Sequence, residues 1–331
     1  MTRIAIIGAG LSGLVAGKSL SKRFDVQIFE KSRGAGGRMA TRRAEPYAFD
    51  HGAQFFTAKS DAFRDFVTEC KETGLVEEWR CRTVSLNGAN KEIRRPMYVA
   101  SPSMSSLAKD LARGLNVNYR VQISELKRDP AGWVLLDSTG AEHGVFDWVV
   151  SSAPAPQTAS LFGDRFVHDN VVRDTRMFAC YTLMVGLDGR QASLPWTAAF
   201  VGGDSPVDWI AVNSDKPGRP ENCLIAHSKS EWSEVHIEDD QDLVKAELLA
   251  EVEKQTELKL AGSPHVVLHR WRYANVDRAA SEQSCLVDKR SQLLACGDWC
   301  TKGRVEAAFL SGRAAARHLE TKLTPWPNPR G

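Results

Sequence analysis

Hydrophobic positions change their spacing several times along the chain, and each change marks a boundary. The run Ile4-Ala5-Ile6-Ile7 predicts a buried strand over 3–8, followed by a helix over 11–23 and a second strand over 25–30, together one βαβ unit. Phe63, Phe66, Val67 and Cys70 fall at helical spacing and predict an amphipathic helix over 60–73, and Pro102-Ser103 opens a shorter helix that runs to about Arg113. From Val117 to Ser151 the period becomes two, with turn signals at Asp129-Pro130-Ala131-Gly132 and Ser138-Thr139-Gly140. This predicts a three-stranded antiparallel meander whose last strand is Trp148-Val149-Val150. Residues 161–285 mix strand-like runs (179–187, 224–227, 265–271) with a helix near 240–255 and read as a separate domain. The strand Leu293-Leu294-Ala295-Cys296, a Gly297-Asp298 turn and a helix over 305–319 then restore the texture of the opening, and the tail after Lys322, with three prolines, is expected to fray.

Composition adds limits. At 331 residues two domains are the natural expectation, and 43% apolar with 25% charged residues suits a folded enzyme with a packed core. The 43 basic and 41 acidic side chains nearly cancel, so no footprint for nucleic acid or anionic lipid is visible. No apolar stretch approaches the roughly 20 residues a membrane span needs, and the run Ile4–Ile7 is about half the length of a signal-peptide core before it meets glycines. Seven cysteines, odd in number and without a C-x-x-C pair, fit a reducing cytoplasm. Cys296 and Cys300 raise the idea of a metal or redox pair, but with no second ligand pair they read as buried free thiols and no metal is expected.

Three segments carry chemistry. Gly8-Ala9-Gly10-Leu11-Ser12-Gly13 lies between strand and helix, with Glu30 at the end of the second strand. Gly8 permits a tight turn, Gly10 lets backbone approach a pyrophosphate, Gly13 packs helix on strand, and Glu30 can accept ribose hydroxyls. A carboxylate there repels a 2′-phosphate, so the adenosine half belongs to FAD or NAD. Arg33-Gly34-Ala35-Gly36-Gly37-Arg38 follows at once; its glycines allow close approach and Arg38 can neutralise diphosphate charge, a second phosphate-covering loop that favours FAD over NAD. The bland alternatives are a glycine-rich turn and an arginine-rich surface loop. Third, Cys296-Gly297-Asp298-Trp299 leads into Gly303-Arg304-Val305-Glu306, a turn that can set the Asp298 carboxylate on a ribityl chain and a helix N-terminus toward a flavin edge.

These segments together resemble the flavin amine oxidase superfamily, and the match sharpens to the renalase family, particularly its bacterial members. The likeness rests further on Gly52-Ala53-Gln54-Phe55-Phe56-Thr57-Ala58, on Lys216-Pro217-Gly218-Arg219, and on His269-Arg270-Trp271 with Tyr273-Ala274. It implies an α/β flavoprotein of two-dinucleotide-binding-domain type, with a Rossmann-type FAD domain (1–75, 97–160 and 286–325) and a mixed-sheet α+β substrate domain (76–96 and 161–285). The implied activity is oxidation of misreduced nicotinamide dinucleotides, the 2-dihydro and 6-dihydro isomers of NAD(P)H, with hydride passing to non-covalent FAD and O2 returning it as hydrogen peroxide. A dihydropyridine regains aromaticity when its hydride leaves, so no strong general base is required and no catalytic side chain is firmly assigned.

Carried over by position, Gly8, Gly10, Gly13, Glu30, Arg38 and Asp298 would serve FAD, Val121 would meet adenine through its backbone, and Gln54 would lie near the flavin. The substrate pocket would draw on His227, Trp232, Arg270, Tyr273, Glu306 and, less securely, Asn213. Trp232 and Tyr273 have core aromatics as their alternative, Arg270 and Glu306 a mutual ion pair, and His51 reads as a structural histidine. Two other functions compete. Oxidation of amines is the runner-up among enzymes, although the Asp298 turn offers only Trp299 as a flanking aromatic. A non-catalytic carrier of the Rab GDP-dissociation-inhibitor type shares the architecture, but Glu30, Arg38 and Asp298 argue against it.

Overall fold

The computed structural model describes residues 1–188, 194–220, 222–280, 282–301 and 303–323; the tail expected to fray lies, from residue 324 on, outside the described residues. Backbone contacts gather the chain into two compact units. The first combines Met1–Gly37, Ala108–Arg176 and Val276–Gly331, and the second Arg38–Leu107 with Met177–Asn275. Residues 38–75 and 97–107, expected with the dinucleotide-binding segments, therefore group with the second unit.

In the first unit, β1 (Arg3–Ile7), α1 (Leu11–Leu20) and β2 (Asp25–Glu30) form the expected βαβ unit. A six-stranded sheet runs in the order Cys285–Asp288, Leu293–Cys296, Trp148–Ser151, β1, β2, Asn116–Tyr119. All neighbours are parallel except the first pair. The meander is corrected here: its three antiparallel strands are Ile123–Asp129, Gly132–Asp137 and Glu142–Phe146, while Trp148–Ser151 belongs to the parallel sheet beside β1. Every residue of Trp148–Ser151 is buried, as befits a strand covered on both faces, which shows no alternation. Ile4, Ile6, Leu14, Ile28, Val150, Leu294, Ala315 and Leu319 form one apolar core. The helix Val305–Leu323 crosses α1 so closely that a Cβ on Gly312 would sit 2.3 Å from the Ser12 carbonyl oxygen. Only glycine permits that approach.

The second unit is built on a mixed six-stranded sheet in the order His265–Arg278, Arg176–Gly186, Cys223–Ser228, Val207–Val212, Ala198–Val201, Thr83–Leu86. The strand Arg176–Gly186 alternates between two cores. Tyr181, Leu183 and Val185 face the helix Gln241–Thr256 through Val244, Leu248 and Val252, whereas Met184 packs with Phe49, Cys223 and Ile225 on the other face. That helix is capped by Asp240, whose carboxylate accepts from the Asp242 and Leu243 amides at 2.8 and 3.2 Å, the side-chain acceptor a helix start needs. The expected helices over 60–73 and from Pro102 appear as Asp61–Glu72 and Met104–Ala112. The strands Thr83–Leu86, Ala198–Val201, Val207–Val212 and Cys285–Asp288 went unread, being short runs with weak alternation.

Candidate functional site

In the first unit the turn after β1 has the geometry a diphosphate requires. Gly8 adopts φ +105°, the left-handed region open to glycine, and a Cβ on Gly13 would lie 2.2 Å from the Gly8 carbonyl oxygen. Gly10 heads α1 with no side-chain cap and has nothing within 4 Å of its Cβ direction, so the helix N-terminus opens onto free space. The second glycine loop lies against the first: the Gly36 amide donates to the Ala9 carbonyl at 2.9 Å, and a Cβ on Gly37, at φ +53°, would sit 3.5 Å from Gly10 Cα. Two layers of side-chain-free backbone therefore face one helix dipole, a cradle for a dianionic group.

Glu30 closes β2 with its carboxylate 6% exposed, accepting from the Ala9 amide at 2.8 Å through one oxygen and the Ser32 amide at 2.8 Å through the other. Its oxygens are fixed beside the glycine turn and keep lone pairs for ribose hydroxyls. Val121 donates its amide to the Glu30 carbonyl at 3.0 Å. Asp298 opens a short turn and is buried, with the Gly303 amide on its carbonyl at 3.0 Å. Trp299 is fully buried and donates its indole N–H to the Ala153 carbonyl at 2.9 Å. Burial pushes the Cys296 and Cys300 thiols far above their ordinary range, which makes both inert. Glu306 is half-buried in the first turn of its helix.

The second unit holds the remaining residues and a cluster that sequence reasoning missed. Asp50, Lys216 and Arg219 are 0%, 1% and 8% exposed. Arg219 clasps one carboxylate oxygen of Asp50 through Nε at 2.9 Å and Nη2 at 2.6 Å, while Thr41 Oγ1 and the Met104 amide donate to the other at 2.7 and 3.0 Å. Against the cost of burial, the charges of Lys216 and Arg219, helped by the Thr41 and Met104 donors, hold the Asp50 carboxyl below its usual range. Burial drives Lys216 the other way, down to about 8, with Arg219 adding to the push and Asp50 resisting it. Lys216 donates to Gln54 Oε1 and Asn213 Oδ1, each at 3.0 Å. Its burial has no sign in Lys216-Pro217-Gly218-Arg219, which has the composition of a surface turn.

Around this cluster the structure gathers several expected residues. Gln54 is buried and faces His227 Nε2 at 3.3 Å. Asn213 is fully buried with both amide ends engaged, the nitrogen on the Ala48 carbonyl at 2.9 Å, so it serves the interior of its unit. His51 stacks on Trp271 at 5.1 Å and meets His269 edge-on at 4.8 Å. Burial and the positive charge of Arg42 press His51 to about 3 and His269 to about 4, and burial with Lys216 presses His227 to about 4, so all three rings are neutral near pH 7. Trp232 stacks on His236 at 4.2 Å and packs on the core beneath the helix Gln241–Thr256. Arg270 donates to the Ile237 carbonyl at 2.5 Å, Tyr273 is half-buried, and Arg38 donates to the Ala274 carbonyl at 3.0 Å. Among the described residues no helix is long and apolar enough to cross a membrane.

Known proteins match this arrangement. A family profile described as NAD(P)-binding Rossmann-like domain matches residues 6–70, and one described as flavin containing amine oxidoreductase matches residues 82–319. Renalase of Mus musculus is 22% identical over 310 residues, covering 86% of this chain and 88% of its own. A 4,4'-diapophytoene desaturase of Staphylococcus aureus is 38% identical over 69 residues, 20% of this chain and 14% of that protein. The crystal structure of a candidate protoporphyrinogen oxidase from Exiguobacterium sp. 255-15 superposes with a TM-score of 0.78 at 11% identity, covering 97% of this chain and 99% of that one, a likeness of fold. With the glycine cradle, the buried acid and a family match over most of its length, the chain belongs to the flavin-containing amine oxidoreductases and is renalase-like among them.

Proposed function

We propose that the protein is an FAD-dependent oxidase of misreduced nicotinamide dinucleotides, converting 2-dihydro and 6-dihydro isomers of NAD(P)H to NAD(P)+ with O2 as acceptor and hydrogen peroxide as product. The likeness to renalase over 86% of the chain carries this reading. Gly8, Gly10, Gly13, Glu30, Val121 and Asp298, with Arg38 and Gln54, would hold FAD non-covalently, the double glycine layer taking the diphosphate and Glu30 the ribose. When bound, FAD supplies a two-electron acceptor. The protein's part is to bind and orient the substrate, for which His227, Trp232, Arg270, Tyr273 and Glu306 are the proposed contacts. The neutral state of His51, His227 and His269 agrees with a reaction that needs no strong base.

The family description keeps amine oxidation as the second reading, although the one aromatic that the Asp298 turn offers, Trp299, is fully buried. Anaerobic stopped-flow mixing separates the two. Rapid bleaching of the flavin by 6-dihydro-NAD and negligible bleaching by primary amines is expected; comparable rates with an amine would overturn the proposal.

A further inference from the structure

Three neighbouring strands of the first unit's parallel sheet end in the order that the parts of an extended dinucleotide require. β1 runs into the turn of Gly8 and Gly10, β2 beside it ends at Glu30, and the edge strand beyond β2 ends at Tyr119. Tyr119 is the register partner of Glu30 across the parallel pair, so the two side chains leave the sheet on the same face, on strands about 4.8 Å apart. The chain then closes back on Glu30: the Arg120 amide donates to the Ser32 carbonyl at 3.1 Å and the Val121 amide to the Glu30 carbonyl at 3.0 Å. With a diphosphate on the glycine turn and its ribose on the Glu30 carboxylate, which accepts from the Ala9 amide of that turn at 2.8 Å, the base continues away from the turn, on the side of the edge strand. Tyr119 stands on that side. It is 39% exposed and, among the described residues, the only exposed aromatic. An open ring at the end of an edge strand fills no core. Burial and the Glu30 carboxylate push its phenol above the ordinary range, so the ring is neutral near pH 7.

We propose that Tyr119 forms the aromatic wall of the adenine subsite, its ring stacking on the base of FAD while Glu30 holds the ribose. An aromatic side chain takes a base through its π-face, so the ring carries the contact and the hydroxyl is dispensable. The inference rests on FAD as the cofactor and is independent of the nicotinamide substrate.

Flavin fluorescence titration of the apoprotein tests it. Tyr119→Ala and Tyr119→Leu, the second keeping apolar bulk without a π-face, should each weaken FAD about tenfold, the scale of one base–aromatic stack, whereas Tyr119→Phe and Tyr119→Trp should stay within about twofold of wild type. ADP carries the base, ribose and diphosphate without the flavin, and calorimetric titration of the same apoproteins with ADP should show the same ranking. In the wild type an NOE should join the Tyr119 ring protons to the adenine protons of bound ADP, assigned by its loss in Tyr119→Leu. Alanine and leucine variants that bind FAD like wild type, a phenylalanine variant as weak as alanine, ADP binding indifferent to the ring, or a missing NOE overturns the proposal while FAD binding by the wild type stands. A wild type that takes up no FAD removes the cofactor reading and the wall with it.

Discussion

Replacing Lys216 with methionine should reverse part of the protein's alkaline stability profile. The side chain is 1% exposed and its pKa falls from 10.5 to about 8 on folding. Between those two values the unfolded chain binds a proton that the folded protein does not, so wild-type stability rises with pH across this window. At about 1.4 kcal/mol per unit the full contribution is about 3 kcal/mol. Buried thiols act in the opposite sense: Cys180 and Cys285, raised to about 12 and about 11, make the folded state lose stability as pH climbs past 9. Comparing wild type with Lys216→Met cancels these shared contributions. Urea unfolding of both proteins from pH 7 to 10.5 should show the wild type gaining about 3 kcal/mol relative to the variant, most of it above pH 8. A difference that stays flat across this range refutes the argument that Lys216 is held as a strained, desolvated cation.

Two other perturbations probe the same reasoning. His51, His227 and His269 stay neutral in the folded protein down to about 3, about 4 and about 4, so unfolding takes up protons below 6.5. Stability should fall between pH 6.5 and 4.5 by about 2 to 3 kcal/mol for each of the buried rings of His51 and His227, and by less for the more solvated His269, and His227→Asn should remove about one proton from the slope; an unchanged slope in acid denaturation contradicts this. Gly13→Ala would set a Cβ 2.2 Å from the Gly8 carbonyl oxygen and 2.5 Å from Ser152 Oγ. A loss of about 1 to 3 kcal/mol in urea unfolding and weaker FAD uptake are expected, and a variant matching wild type in both sinks the close-packing account of Gly13.

The dinucleotide cradle was legible because its signals are local. Strand, glycine turn, helix and Glu30 lie within thirty residues, and each step is dictated by backbone geometry. Trp148–Ser151 misled because a strand buried on both faces loses the alternation that marks a meander. The Asp50–Lys216–Arg219 cluster was illegible for a different reason. Asp50 and Arg219 are 169 residues apart, and a lysine before Pro-Gly has the composition of an exposed turn. Burial that comes only from tertiary packing leaves no periodic trace.

Fluorescence titration of the apoprotein with FAD bears most directly on the central claim. Saturation at one FAD per chain is predicted for the wild type, with binding lost when Glu30 and Asp298 are both replaced by alanine. A wild type that takes up no FAD, or a double variant that binds it equally well, would contradict the account.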